Sequence, residues 1–171
     1  MKAELSSERF LIESFDPKIH ELKNYLSWMR NVKVNPFIEG VNENFTSQNL
    51  SDYVLEKNDS KTALLLGIFV KSEKIHIGNI KLEPIIPRTS ATIGILVGEE
   101  NWRGKGVGFE VMSRVLEYSF KDLKLHTVEL GVNKKNIAAI NLYSRIGFKE
   151  NTEASSLSQS IKMSIQSHNF N

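Results

Sequence analysis

The sequence predicts an α+β (mixed α/β) fold: one mostly antiparallel sheet with helices on both faces. The order of periods along the chain is strand, helices, a run of strands, then strand–helix–strand. Residues 63–70 form a continuous apolar run, the pattern of a strand covered on both sides. The strands after it alternate and are separated by short polar turns, which favours hairpins.

Each element has its own local reason. Residues 9–15 read as the first strand. Pro17 follows Asp16 as an N1 residue follows an N-cap. Leu22, Tyr25, Leu26 and Met29 then recur at helical spacing. Pro36, Gly40 and several asparagines make residues 31–44 a loop or a broken helix. Thr46 caps a short helix carrying Leu50, Tyr53, Val54 and Leu55. After the central strand and a polar turn at 71–74, residues 75–82 return as a strand. Ile75 and Ile77 are expected on one face, with His76, Gly78, Ile80 and Leu82 on the other. Past a loop at 84–87, Ala91, Ile93, Ile95 and Val97 alternate with Thr92, Gly94 and Leu96. Val107, Val111, Met112, Val115 and Leu116 mark a helix over about 104–121. A strand at 127–132 precedes a helix capped by Asn136 and ended by Gly147, a residue suited to the left-handed position. Phe148 opens a short strand, and Ile161, Met163 and Ile165 alternate in a last one.

Composition narrows the class. The 171 residues suit a single domain over 1–171, with a core at about 9–166 and a polar tail at 167–171. With 22 basic and 20 acidic side chains the net charge is +2. That balance points away from nucleic acid and from a polybasic membrane anchor. There is no cysteine, which excludes disulfides, acyl-cysteine intermediates and Cys-based zinc sites. No metal-ligand spacing is visible, so no metal is expected. No stretch approaches the ~20 apolar residues of a membrane span, and no signal-peptide core precedes the first strand. A cytoplasmic protein is the expectation.

The chemistry concentrates at a strand-to-helix turn, Gly98-Glu99-Glu100-Asn101-Trp102-Arg103-Gly104-Lys105-Gly106-Val107-Gly108. Alternating glycines are costly unless backbone must bend tightly or approach something closely. A helix start offers unpaired N–H groups and partial positive charge, and Arg103 and Lys105 stand beside it. Together they suit a pyrophosphate. A P-loop is excluded, because five residues separate Gly98 from Gly104 and Gly106 follows Lys105. The dinucleotide spacing G-x-G-x-x-G is absent as well. A bland strand–helix loop with exposed basic residues is the competing structural reading.

At these residues the sequence resembles the GNAT N-acetyltransferases. Arg103-Gly104-Lys105-Gly106-Val107-Gly108 matches the family signature R/Q-x-x-G-x-G/A. Asn136-Ile137-Ala138-Ala139-Ile140-Asn141-Leu142-Tyr143-Ser144-Arg145-Ile146-Gly147-Phe148 is similar to its N-x-x-A-x-x-L-Y-x-x-x-G-F helix. Trp28-Met29-Arg30-Asn31 and His76-Ile77-Gly78-Asn79-Ile80 resemble the RimJ/RimL-like branch. The resemblance spans roughly residues 9–165.

The resemblance implies acetyl-CoA as co-substrate. A splay would follow the strand ending at Val97, with the pantetheine arm along the backbone of Ile95, Leu96 and Val97. Residues Arg103, Gly104, Lys105, Gly106, Val107 and Gly108 would hold the pyrophosphate. Asn136, Asn141 and Tyr143 would face the coenzyme from the second helix, with Tyr143 as general acid toward the leaving thiolate. Ordinary roles compete: an N-cap for Asn136, a core position for Tyr143. The family's usual glutamate base falls at Thr92, which cannot accept a proton, so this chain departs from the pattern. His76 is a candidate base and could equally be a half-buried strand residue. Glu99 and Glu100 read as solvated, and His20, His126 and His168 have no evident chemical neighbourhood.

For the acceptor, Trp28, Arg30, His76, Asn79 and Trp102 are candidate lining residues. A small-molecule amine is expected, and the resemblance of residues 76–80 to family members acting on amino sugars implies an amino sugar on a nucleotide carrier. Protein N-terminal acetylation, a non-catalytic acetyl-CoA sensor and an accidental motif are the alternatives. Homodimers are common in the family, which makes one an option here.

Overall fold

The apolar run becomes β3 (Leu64–Val70), buried along its whole length. The other strands are β1 (Glu4–Ser6), β2 (Phe10–Ser14), β4 (His76–Ile86), β5 (Ser90–Val97), β6 (Thr127–Asn133), β7 (Lys149–Glu150) and β8 (Ser160–Gln166). The helices are α1 (Leu22–Arg30), α2 (Ser47–Asp59), α3 (Val107–Lys121) and α4 (Ile137–Ile146). The computed structural model describes residues 1–32, 36–38, 40–151 and 159–170. Part of the expected loop at 31–44, residues 33–35 and 39, lies outside them.

The strands form one sheet in the order β1-β2-β3-β4-β5-β6-β8-β7. Neighbours are antiparallel except β5 and β6, which run parallel across the α3 crossover. Ile12, Ile68, Ile80, Ile93, Val128 and Ile165 point to one face and are covered by α3 through Val111, Met112, Val115 and Leu116. Helix α4 lies in the same layer, through Leu142, Tyr143 and Ile146. On the other face, Phe15, Leu65, Phe69 and Leu96 meet Tyr25, Trp28 and Met29 of α1 and Leu50 and Val54 of α2.

Several expectations change. Sheet structure begins at β1 rather than at residue 9. Pro17 does not open α1. The Asp16 backbone N–H donates to Nδ1 of His20 at 3.0 Å, and Asp16 Oδ1 accepts from the Lys18 N–H at 2.9 Å. These bonds close a separate turn, and the helix starts after Glu21. Strand β4 runs on through Pro84, which shortens the expected 84–87 loop. A bulge makes Ile77 the extra residue, because Phe69 pairs with His76 and Ile68 with Gly78. Ile77 therefore joins Ile80 and Leu82 in the α3 layer, while His76 faces α1. In the polar tail, the Phe170 ring rests 5.5 Å from that of Phe120.

Candidate active site

Strands β5 and β6 pair only through Ser90↔Thr127, Ala91↔Val128 and Thr92↔Glu129. Both continue, but apart. β5 stays with β4 as far as Val97, and β6 stays with β8 as far as Asn133. The result is a V-shaped cleft whose lips are strand edges that do not pair with each other. A side chain at Gly78 would run into the Leu96 carbonyl oxygen, so that carbonyl faces β4. Alternation along the strand then turns the backbone of Ile95 and Val97 toward the cleft. The Val97 carbonyl accepts from Arg103 Nε at 2.9 Å.

The open end of the cleft meets the start of α3. Gly104 and Gly106 sit at φ +71° and +78°, conformations that glycine adopts without strain. Gly106 caps α3 without a side-chain bond. The first amide to bond back is that of Glu110, to the Gly106 carbonyl at 3.1 Å. The N–H groups of Val107, Gly108 and Phe109 are thus the free ends of the helix dipole, suited to an anion. A Cβ at Gly108 would lie 2.7 Å from Leu142 Cδ2, where α3 and α4 touch. Arg103 folds back on the end of β5, whereas Lys105 is exposed with Nζ 5.8 Å from the Trp102 ring centre.

This turn is braced from the far edge of the sheet. Glu110 accepts from the Ser7 hydroxyl, the Arg9 N–H and Arg9 Nε, each at 2.7 Å. Arg9 Nη1 also donates to the Lys105 carbonyl at 3.0 Å. Burial pulls the Glu110 pKa up, but these donors together outweigh it and hold the carboxyl below its usual range.

In α4, Asn136 Oδ1 accepts from the Ala139 N–H at 3.2 Å, and Gly147 closes the helix at φ +113°. Between them Tyr143 is buried near Phe148, ring centres 6.0 Å apart. Burial raises its pKa, so the phenol stays protonated at neutral pH. Asn141 is exposed on the same helix.

The expected acceptor residues divide. Trp28, His76 and Asn79 lie together under α1, with the Trp28 and His76 rings 4.9 Å apart. His76 Nε2 donates to the Gly78 carbonyl at 2.9 Å, while its Nδ1 and both amide atoms of Asn79 are buried without a partner. Burial lowers the His76 pKa to about 4, so the ring is neutral at pH 7 and a weaker base than free imidazole. Arg30 points outward and donates to the Phe45 carbonyl at 2.6 Å. Trp102 lies on the opposite, α3 side, edge-on to Phe10 at 5.8 Å, and does not join the others.

Two cavities flank the cleft. One, of about 350 Å³, is lined by Ser27, Trp28, Gly98, Glu99, Glu100 and Asn101. The other, of about 230 Å³, includes Thr92, Glu129, Asn151, Lys162 and Ser164. Glu129 is a carboxylate that sequence reading passed over. Its place in an alternating strand was visible, but its pairing with Thr92 was not. Among the described residues no group of three or more His, Asp or Glu could hold a metal, and no helix is long and apolar enough to cross a membrane.

The pattern of the acetyltransferase (GNAT) domain matches residues 9–149. The chain belongs to this family, and its domain is that of an acetyl-CoA-dependent acyltransferase. It is 34% identical over 84 residues to the probable N-acetyltransferase YjcK of Bacillus subtilis, a match covering 48% of this chain and 46% of that protein. It is 27% identical over 146 residues to the uncharacterized N-acetyltransferase YnaD of the same organism, covering 85% and 82%. In fold it is similar to spermidine N-acetyltransferase from Vibrio cholerae, solved with CoA and spermine. The TM-score is 0.79 at 22% identity, covering 94% of this chain and 97% of that one.

Proposed function

We propose that the chain is an N-acetyltransferase that moves an acetyl group from acetyl-CoA to a primary amine by direct transfer in a ternary complex. The supporting observation is the β5–β6 cleft ending on the uncapped start of α3. Acetyl-CoA supplies the activated acetyl carbon. The N–H groups of Val107, Gly108 and Phe109, with Lys105 beside them, hold the pyrophosphate. The cleft edge of Ile95 and Val97 pairs with the amide arm, and a backbone N–H there stabilises charge on the thioester oxygen. Tyr143 donates its proton toward the leaving sulfur. With no cysteine in the chain there is no acyl-cysteine route, and direct transfer is the natural mechanism.

We place the chain in the RimJ/RimL-like branch on residues 28–31 and 76–80, as one domain over residues 1–171 acting in the cytoplasm. The acceptor is a small-molecule amine. Amino-sugar nucleotides lead on the resemblance of residues 76–80. Polyamines come next, because Glu99 and Glu100 line the larger cavity and Glu129 the smaller.

The test is calorimetric titration with acetyl-CoA. The wild type should bind with a Kd on the order of micromolar. Gly106→Trp should lose at least about tenfold in affinity, the factor that about 1.4 kcal/mol represents. Lys105→Glu, at an exposed position, should weaken binding without disturbing the fold. An amine panel then reads thiol release. Absence of wild-type binding would return the glycine turn to a structural loop.

A further inference from the structure

The family's usual base position is Thr92, but the sheet register sets a carboxylate beside it. Thr92 is the last residue of β5 that pairs with β6, and its partner is Glu129. Glu129 in turn stands opposite Ser164 of β8. Strand β6 sends Val128, Leu130 and Val132 into the α3 layer, so Glu129 and Gly131 project from the other face. Strand β5 does the same: Ala91 and Ile93 point to α3 and Leu96 to α1, which puts Thr92 and Gly94 on the face of Glu129. The Thr92–Glu129 pair therefore marks the apex of the cleft, on the side away from α3.

One step further along both strands, on that same face, the residue is glycine. Neither Gly94 nor Gly131 is at positive φ. A Cβ added to either would meet nothing within 4 Å. Neither backbone conformation nor packing requires glycine here, and glycine inside a strand often marks a close approach by a ligand. One on each lip leaves a bare window in the sheet just past Glu129. The cavity of about 230 Å³ opens beside it, lined by Thr92, Glu129, Gly131, Asn151, Lys162 and Ser164. Lys162, in register with Gly131 on β8, is the other charged side chain in that lining.

We propose that Glu129 is the general base, replacing the carboxylate missing at Thr92, and that the amine reaches the thioester through the Gly94–Gly131 window. This rests on the acetyltransferase reading above. The amine nitrogen bonds to the thioester carbonyl carbon and the carbon–sulfur bond breaks. The proton leaving nitrogen passes to the Glu129 carboxylate, directly or through one water. Sulfur keeps the bonding electron pair and takes a proton from Tyr143. Glu129 returns its proton to solvent in the cavity, and the Tyr143 phenolate takes one back from solvent, which restores both groups. One amine and one acetyl-CoA give one N-acetyl amine and one CoA.

The experiment compares wild type, Glu129→Gln, the double variant Glu129→Gln/Thr92→Glu, and Gly131→Val. Thiol release is followed with spermidine and with glucosamine as probe amines. Calorimetric affinity for CoA and the melting temperature are measured beside it. Glu129→Gln should lower kcat by about a hundredfold or more, with affinity for CoA and Tm unchanged. The double variant should recover at least about tenfold of that loss, since position 92 carries the new carboxylate on the adjacent strand and the same face. Gly131→Val should lower kcat/KM for the amine and leave CoA binding intact. A Glu129→Gln enzyme that keeps its kcat, or that raises only KM for the amine, overturns the base. A wild type that binds no CoA overturns the acetyl-transfer reading and the base with it.

Discussion

Tyr143 shows how one side chain separates an enzyme from a sensor. Its phenol is buried beside Phe148 and kept protonated by that burial. Removing the hydroxyl deletes a proton donor and almost no volume. Tyr143→Phe should therefore keep calorimetric affinity for acetyl-CoA within about twofold, while kcat falls about a hundredfold, the scale of general acid catalysis. Unchanged turnover would remove Tyr143 from the chemistry. His76 makes the opposite case. Its position in the sequence suggested a base, but the ring packs among Phe15, Trp28 and Phe69, with centres 4.7 to 4.9 Å apart, and is held neutral there.

Elements show where local sequence is enough to foretell structure and where it is not. Thr46 takes the N3 amide of Asn49 at 3.0 Å and its own N–H donates to Asn49 Oδ1, a reciprocal cap written in four residues. Asn136 and Gly147 bound α4 as expected for the same reason. The face of Ile77 was misread because a bulge depends on the partner strand. β1 went unseen because three residues carry no period. Glu129 could not be matched to Thr92 because parallel strands joined through a helix leave their register open. The brace at Glu110 is of this long-range kind, joining the β1–β2 turn to the first turn of α3. Its folded pKa is lowered, so its contribution is present above the unfolded value of ~4.3 and is lost as pH falls through the folded pKa. Glu110→Gln should lower Tm at pH 7, and the deficit relative to wild type should shrink as pH drops below about 4. A deficit equal at pH 7 and pH 3 would mean that packing, not charge, sets the brace.

Across the whole molecule, the cleft divides the sheet into β1–β5 and β6–β8–β7. Three parallel pairs join the halves, together with α3, which packs on both β5 and β6. A molecule lying along both lips and on the start of α3 would tie the halves together, and by mass action it would stabilise the folded state as a whole. At a concentration about a hundred times Kd the gain is about 2.7 kcal/mol. For a chain of this size that corresponds to a rise in Tm of roughly 5–10 °C. Tyr143→Phe should show the same rise, because it alters transfer and not binding. Gly106→Trp, weakened at least about tenfold at its helix start, should show at most about half that rise. Differential scanning calorimetry with and without acetyl-CoA reads all three. Equal shifts in wild type and Gly106→Trp would locate binding away from the α3 start and detach the glycine turn from the coenzyme.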